Sequence, residues 1–163
     1  MTRMSAKASA DRQLSKLGVA LPPPPTPLGA YVETVKTGNL LFLSGMLPVV
    51  GGEPRYVGRV AGALSAEDGR KAAELACLNA LSAARAHLGS LDRVAGVAKP
   101  RVYIATEGDF RAHPGDADGA SELLVKVFTA EMLSTRVVLG VASLPLALPV
   151  EVEVVFEFAS HAA

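Results

Sequence analysis

The end of the chain shows the clearest alternation of apolar and polar positions. Between 150 and 158, apolar residues fill every second position and carboxylates fill most of the positions between them. The apolar set is Val150, Val152, Val154, Phe156 and Phe158, and the opposite face carries Glu151, Glu153, Val155 and Glu157. A second apolar, β-branched run follows Arg136, and a Leu-Pro corner at 144–145 separates the two runs. We therefore predict two strands joined by a short turn.

The same pattern analysis divides the preceding part of the chain into strands and helices. The longest helix is predicted to start at a capping box formed by Ser65 and Asp68 and to end at Gly89. Pro100 interrupts a strand and indicates a bulge or an edge position. The predicted elements are strands at 31–35, 40–44, 56–60 and 94–105 and helices at 65–88 and 120–132.

Residues 1–27 differ in character from the rest of the chain. A short helix is predicted over 5–17, ending at Gly18, and a polyproline stretch at 22–25 forms a stiff spacer without backbone N–H donors. We expect residues 1–27 to be an N-terminal extension and residues 28–163 to form the domain.

The order of elements predicts an α+β fold, with one mixed β-sheet and two helices packed on one of its faces. Two helices cover only one face of such a sheet. The other face must meet another surface, and a homo-oligomer is the simplest arrangement that would cover it.

Composition narrows the function. Sixteen basic residues balance sixteen acidic ones in the 163-residue chain, which argues against a nucleic-acid partner. The single cysteine, Cys77, permits no internal disulfide, and the three histidines follow no metal-ligand spacing, so no metal site is expected. The N-terminus lacks the apolar core of a secretory signal and no apolar run is long enough to cross a bilayer, which predicts a cytoplasmic protein without membrane contact.

The candidate chemistry lies on the two terminal strands. Arg136 opens the first strand, and Glu151 and Glu153 lie early in the second. A guanidinium and a carboxylate brought close together could hold a small carboxylic acid and move a proton beside it. The alternative stays open, because a half-buried antiparallel strand shows the same alternation for solubility alone.

Four segments together resemble the Rid/YjgF family of reactive-intermediate (enamine/imine) deaminases, also known as L-PSP endoribonucleases. They are G-A-Y-V at 29–32, T-G-N-L-L-F-L-S-G-M-L-P at 37–48, N-A-L at 79–81 and R-V-V-L-G-V-A-S-L-P-L-A-L-P-V-E-V-E at 136–153. The spacing from the arginine through Leu-Pro to Val-Glu-Val-Glu is the most specific of these features.

The resemblance implies a chorismate-mutase-like fold and a homotrimer with a ligand cleft at each subunit boundary. It implies that Arg136 grips a substrate carboxylate and that Glu151 handles a proton through a water. Tyr31 and Ser44 would lie at the cleft, and the backbone of Val138 would contact the ligand.

Three positions depart from the family pattern. Ala30 replaces a proline, Met46 replaces a glutamine, and Asp118 replaces an asparagine. An acid near an anionic substrate would weaken binding by repulsion. The longer N-terminus and the loop at 110–116 resemble a less-studied branch of the family.

The leading hypothesis is hydrolysis of 2-imino acids, or of their enamine tautomers, to 2-keto acids and ammonia, without a metal or an organic cofactor. One alternative is a module that binds a small carboxylate metabolite without turnover. A further alternative, ribonuclease activity, is implied only by the family's second name.

Overall fold

The computed structural model describes residues 9–132 and 134–159, which form one α+β unit. In chain order its elements are α1 (Ala10–Lys16), β1 (Thr34–Thr37), β2 (Leu40–Leu43), β3 (Val49–Val50), β4 (Glu53–Pro54), α2 (Ala66–Leu88), β5 (Val94–Ala105), α3 (His113–Phe128), β6 (Val137–Val141) and β7 (Val150–Phe158). Within this part of the chain, no helix is long and apolar enough to cross a membrane.

The main sheet has the strand order β1-β2-β7-β5-β6. Only β5 and β6 run parallel, and all other neighbours are antiparallel. The predicted α+β fold with one mixed sheet is therefore confirmed. Besides the two helices predicted to pack on the sheet, the structure contains α1, which lies within the predicted 5–17 helix. Because Ala10 and Leu14 of α1 are buried in the common core, this part of residues 1–27 packs with the domain. The beginning of the predicted 5–17 helix lies outside the described residues.

The residues at which the helices begin and end are largely determined by capping interactions and by nearby glycine and proline residues. At the start of α2, Ser65 accepts a hydrogen bond from the backbone of Asp68, whose carboxylate accepts one from the Ser65 backbone, as predicted. Gly89 ends the helix at a positive φ of 84°, a backbone geometry that glycine adopts without a steric penalty. By contrast, α3 starts at His113, well before the predicted start at position 120, because Pro114 fits the first turn of a helix.

Several strand predictions were wrong. The first strand starts at Thr34, not at residue 31. The segment 56–60 forms no strand and contributes one isolated bridge position at Val60, whereas β3 and β4 form a small hairpin that was not predicted. Most importantly, β6 and β7 are not partners, because β5 lies between them. The Leu-Pro corner is a 3-10 turn that carries the chain across β5.

The hydrogen bonding of β5 explains why this strand can contain a proline at position 100. Strand β5 lies between β7 and β6. Its ladder with β7 shifts register between Val97 and Lys99, close to Pro100, which agrees with the predicted bulge. Strand β6 pairs only with residues 101–105, so at Pro100 one side of β5 needs no hydrogen bond from a neighbouring strand.

The two faces of the sheet differ in what covers them. The face with Val152, Val154 and Phe156 is fully buried under the helices. The other face carries the side chains at the alternate positions of β7, 151, 153, 155 and 157, and no described helix lies on it. Val35, Phe42 and Leu139 lie on this open face and are 50%, 41% and 49% exposed.

Candidate active site

Two hollows on the described part of the chain bear on the candidate residues. The larger, of about 310 Å³, lies between Pro23–Pro25 and the segment after β2, and we call it the proline-walled pocket. The smaller, of about 230 Å³, lies between β5 and α3 and has Arg136 in its wall, and we call it the arginine pocket.

Arg136 is held in the arginine pocket by α3. Its Nη1 donates to Oδ1 of Asp118 at 2.7 Å and to Oγ of Ser121 at 3.0 Å. Neither Nε nor Nη2 has a protein partner among the described residues, so one edge of the guanidinium is available. Because the side chain is only 24% exposed, Asp118 supplies the partner that a largely buried cation needs. The arrangement can present a two-bond fork to a carboxylate, although Asp118 already balances its charge.

Glu151 lies on the open face of the sheet, opposite Tyr103 of β5. Its side chain packs on Gly45, so closely that a Cβ at position 45 would collide with its Oε1. Burial, and next the negative charge of Glu153, raise the pKa of Glu151 above its ordinary value. A carboxyl with a raised pKa is better suited to accept and return protons near neutral pH than an ordinary surface glutamate is.

A polar cluster beside Glu151 was not predicted from the sequence. Arg101 donates to Oε1 of Glu153 at 2.6 Å, and the hydroxyl of Tyr103 donates to Oε2 of Glu153 at 3.2 Å. Burial, followed by the charge of Glu153, raises the pKa of Tyr103. These contacts arise from the β5–β7 register, in which Arg101 pairs with Glu153. The alternation of Arg101 and Tyr103 along β5 was the available signal, but it does not specify the register.

Tyr31 lines the same pocket as Gly45, and Ser44 is the residue that precedes Gly45. The ring of Tyr31 lines the proline-walled pocket, and its hydroxyl accepts a hydrogen bond from the backbone N–H of Leu28 at 3.0 Å. The hydroxyl of Ser44 donates to the backbone carbonyl of Val32 at 2.6 Å. Ser44 therefore fixes the loop before β1.

Val138 pairs with Val102 in the parallel β5–β6 ladder. Because β6 is an edge strand, part of its backbone N–H and C=O groups face away from the sheet. The main chain of β6 can therefore offer hydrogen bonds to a ligand, which is what the role expected of Val138 requires.

Within one chain, the structure does not bring Arg136 and Glu151 together. Strand β5 separates their strands, which places them about 10 Å apart across the sheet. Glu151 is level with Leu139, three residues beyond Arg136, which adds about 10 Å along the strands. Arg136 also bonds to α3 on the covered side, whereas Glu151 is on the open face. A site that uses both side chains would need a second copy of the chain.

No group of three His, Cys, Asp or Glu side chains in residues 9–132 and 134–159 is arranged to hold a metal ion. Cys77 is buried in α2, and burial raises the pKa of its thiol to about 12. It is therefore unsuited to act as a nucleophile.

Comparison with known proteins agrees with this fold. The sequence profile described as "YjgF/chorismate mutase-like, putative endoribonuclease" matches residues 11–160. The chain belongs to the YjgF/chorismate mutase-like family. Protein TCP17 of Trypanosoma cruzi is 37% identical over 147 residues, which cover 88% of this chain and 91% of that protein.

Two crystal structures show how far the likeness to other family members extends. A protein from Shewanella oneidensis described as "a putative endoribonuclease" has a TM-score of 0.89 at 26% identity, covering 92% of this chain and 99% of the other. Atu1372 from Agrobacterium tumefaciens has a TM-score of 0.83 at 30% identity, covering 93% of each chain. This YjgF-like chain thus shares its fold with both over nearly the full length.

Proposed function

We propose that this protein is an enamine/imine deaminase that hydrolyses 2-imino acids to 2-keto acids and ammonia. The observation that carries the proposal is the placement of Glu151. It is a partly buried carboxyl with a raised pKa, it lies on a sheet face without helical cover, and it packs on Gly45 at the wall of an open pocket.

The proposed site forms where two copies of the chain meet. The open face with Val35, Phe42 and Leu139 supports such an assembly, since exposed apolar side chains gathered on one face mark interaction surfaces. A homotrimer, in which each boundary combines Glu151 of one copy with Arg136 of the next, supplies both groups to one ligand. Tyr31 and Ser44 then belong to the Glu151 side, and the backbone of Val138 belongs to the Arg136 side.

The chemistry needs one acid–base group. Arg136 holds the substrate carboxylate with its free edge, and Glu151 takes a proton from a water as the water oxygen bonds to the imine carbon. The C=N π electrons move to nitrogen, Glu151 passes the proton it took from the water to that nitrogen, and a carbinolamine forms. Glu151, again a carboxylate, then takes the proton of the carbinolamine hydroxyl as C=O forms and delivers it to nitrogen as the C–N bond breaks, which releases ammonia. One positioned acid–base group contributes about 10²–10⁴-fold, enough for a labile imine.

The test is release of keto acid from imino acids generated in situ by an amino-acid oxidase. We expect acceleration by the wild type, a loss of at least about 100-fold in Glu151→Gln, and a comparable loss in Arg136→Ala. Glu157→Gln is the matched control, because Glu157 lies on the same strand and face and accepts a hydrogen bond from Asn39, which glutamine can also accept. No acceleration by the wild type, or full activity in Arg136→Ala, would contradict the proposal.

A shared site also predicts the assembly. Sedimentation equilibrium should give three copies per particle. A fully active monomer would exclude a site built from two chains.

Two observations favour the second candidate, a binding module without turnover. Asp118 already neutralises Arg136, and Met46, buried beside the pocket, offers no polar group for orienting a water. Thermal stabilisation by 2-keto acids, with no hydrolysis of any imino acid, would support this candidate.

The ribonuclease alternative lacks a matching arrangement. Among the described histidines, His87 bonds to Thr34 and the ring of His113 lies against Gly140, so the two do not form an acid–base pair.

A further inference from the structure

The proline-walled pocket has features that the proposed hydrolysis does not use. Apart from its glycines, its lining is mostly apolar, and the contributing side chains come from four separate parts of the chain, 23–33, 45–52, Asn79 and Leu146. The apolar residues of the lining include Pro23, Leu28, Met46, Val49 and Leu146. Its volume of about 310 Å³ is at the lower end for small-molecule sites and is larger than a methyl group needs.

One wall of this pocket is a strap formed by residues 22–28. The strap is fixed at both ends, because Ser82 of α2 donates to the carbonyl of Pro22 at 2.6 Å and the N–H of Leu28 bonds to the Tyr31 hydroxyl. Consecutive prolines restrict the backbone between these points. A wall that is stiff before the ligand arrives loses little entropy on binding.

Leu146 contributes to the wall from the corner before β7. Its φ is 57°, in the left-handed region that costs a non-glycine residue energy. Such strain in a residue beside a pocket agrees with a binding role for that corner.

The polar groups of the pocket leave one charge facing a ligand. The amide of Asn79 is used locally, because it donates to the carbonyls of Leu47 and Val49. Glu33 is partly buried and has no side-chain partner among the described residues. The described lining contains no lysine or arginine. A second carboxylate in this pocket would meet Glu33 without a counter-charge.

The pocket adjoins the proposed catalytic group. Gly45 lines the pocket, and the carboxylate of Glu151 packs against the same residue. A substrate whose imine carbon reaches Glu151 would therefore have its side chain at the mouth of this pocket.

We propose that the proline-walled pocket receives the substrate side chain and selects uncharged aliphatic side chains of about the size of leucine's, with Leu28 and Glu33 as the specificity-determining residues. This inference rests on the proposed deaminase function. The strap sets the upper size limit, and Glu33 disfavours acidic side chains.

The experiment compares kcat/KM for imino acids generated from alanine, leucine and glutamate. In the wild type we expect the leucine-derived substrate to exceed the alanine-derived one by about tenfold or more, and the glutamate-derived one to be the poorest. Leu28→Trp should lower the leucine-to-alanine ratio at least about tenfold, whereas Leu28→Ala should shift preference toward the larger phenylalanine-derived substrate. Glu33→Gln should raise the relative rate for the glutamate-derived substrate several-fold.

Two control variants introduce the same types of substitution at positions outside the pocket. Leu17→Trp alters an exposed leucine at the end of α1, and Glu67→Gln alters an exposed glutamate of α2, so both should keep the wild-type ratios. A wild type that prefers the alanine-derived substrate would overturn the inference. Ratios that stay unchanged in both Leu28 variants would also overturn it.

Binding separates a failure of this inference from a failure of the deaminase function. If no imino acid is turned over, calorimetry with 4-methyl-2-oxopentanoate and pyruvate replaces the kinetics. Tighter binding of the branched acid, weakened about tenfold by Leu28→Trp, would support the pocket assignment without catalysis. Absent or unchanged binding of the branched acid would overturn it.

Discussion

Glu151 and Gly45 are in direct contact, and the space that a Cβ would need at position 45 is occupied by the carboxylate of Glu151. The absence of a side chain on Gly45 therefore leaves the space that this carboxylate occupies.

Gly45→Ala should displace the Glu151 carboxylate while the fold survives, because the atom in the way is the end of a flexible side chain. We expect kcat for imino-acid hydrolysis to fall at least about tenfold, since a misplaced acid–base group loses much of its effect. Steady-state kinetics and circular dichroism would check this. Gly115→Ala is the control, because a Cβ there meets nothing within 4 Å.

Asp118→Asn should strengthen binding of carboxylate ligands. Asparagine can keep a hydrogen bond to Arg136, but it removes the charge that balances the guanidinium. We expect Kd for 2-keto acids to fall several-fold in low salt, and the gain to shrink in high salt because the interaction is screened. Asp109→Asn, which alters an exposed pair with Arg111, should leave Kd unchanged. Weaker binding in Asp118→Asn would show that the carboxylate orients Arg136 and does not merely compete for it.

Glu153→Gln should lower the pKa of Glu151, because the charge of Glu153 is the second cause of its elevation, after burial. If Glu151 acts as a base, activity rises with pH through this pKa, so the acidic limb of the kcat/KM profile should move to lower pH. The variant also frees the positive charge of Arg101, which acts in the same direction. A profile identical to that of the wild type would mean that Glu151 does not control the limb.

Asp116 should make the folded state sensitive to pH. Burial raises its pKa from 3.8 to about 6, and its Oδ2 has no partner among the described residues. The folded protein thus binds the proton more tightly than the unfolded chain, so the stability from this group is complete below about pH 4 and is lost as pH rises through about 6. We expect Asp116→Asn to remove this loss and raise the free energy of unfolding at pH 7 by on the order of 2 kcal/mol. Urea unfolding between pH 4 and pH 8 would measure it.

Leu14→Ala tests whether residues 1–27 are a separate extension. Leu14 is 3% exposed and belongs to the common core. We expect the free energy of unfolding to fall by about 2–4 kcal/mol in a single transition. A cost below about 0.5 kcal/mol would favour the boundary at residue 27.

The local parts of the fold could be predicted from the sequence. The capping box at Ser65 and the stop at Gly89 depend on neighbouring residues alone, and the structure confirms both. The separation of β6 from β7 could not be predicted in this way. A Leu-Pro corner between two apolar runs looks like a hairpin turn, and nothing nearby indicates that β5, from a much earlier part of the chain, inserts between the runs.

In the candidate site, too, the contacts between distant parts of the chain could not be predicted from the sequence. The predictions for Arg136 and Glu151 depend on motif spacing and family resemblance, and their roles remain proposals. The contacts of Glu153 with Arg101 and Tyr103 depend on a register across two strands, which alternation alone leaves undetermined. The partnership of Arg136 with Asp118 depends on how α3 packs, which the pattern of the helix does not specify.

The uncovered sheet face has a thermodynamic consequence. If copies of the chain shield Phe42 and Leu139 from water, the folded form gains stability by mass action, and its melting temperature should climb as protein concentration increases. At high dilution the copies would dissociate and the same surface would be exposed to water. Any activity that needs two copies would then decline faster than in proportion to the amount of protein present.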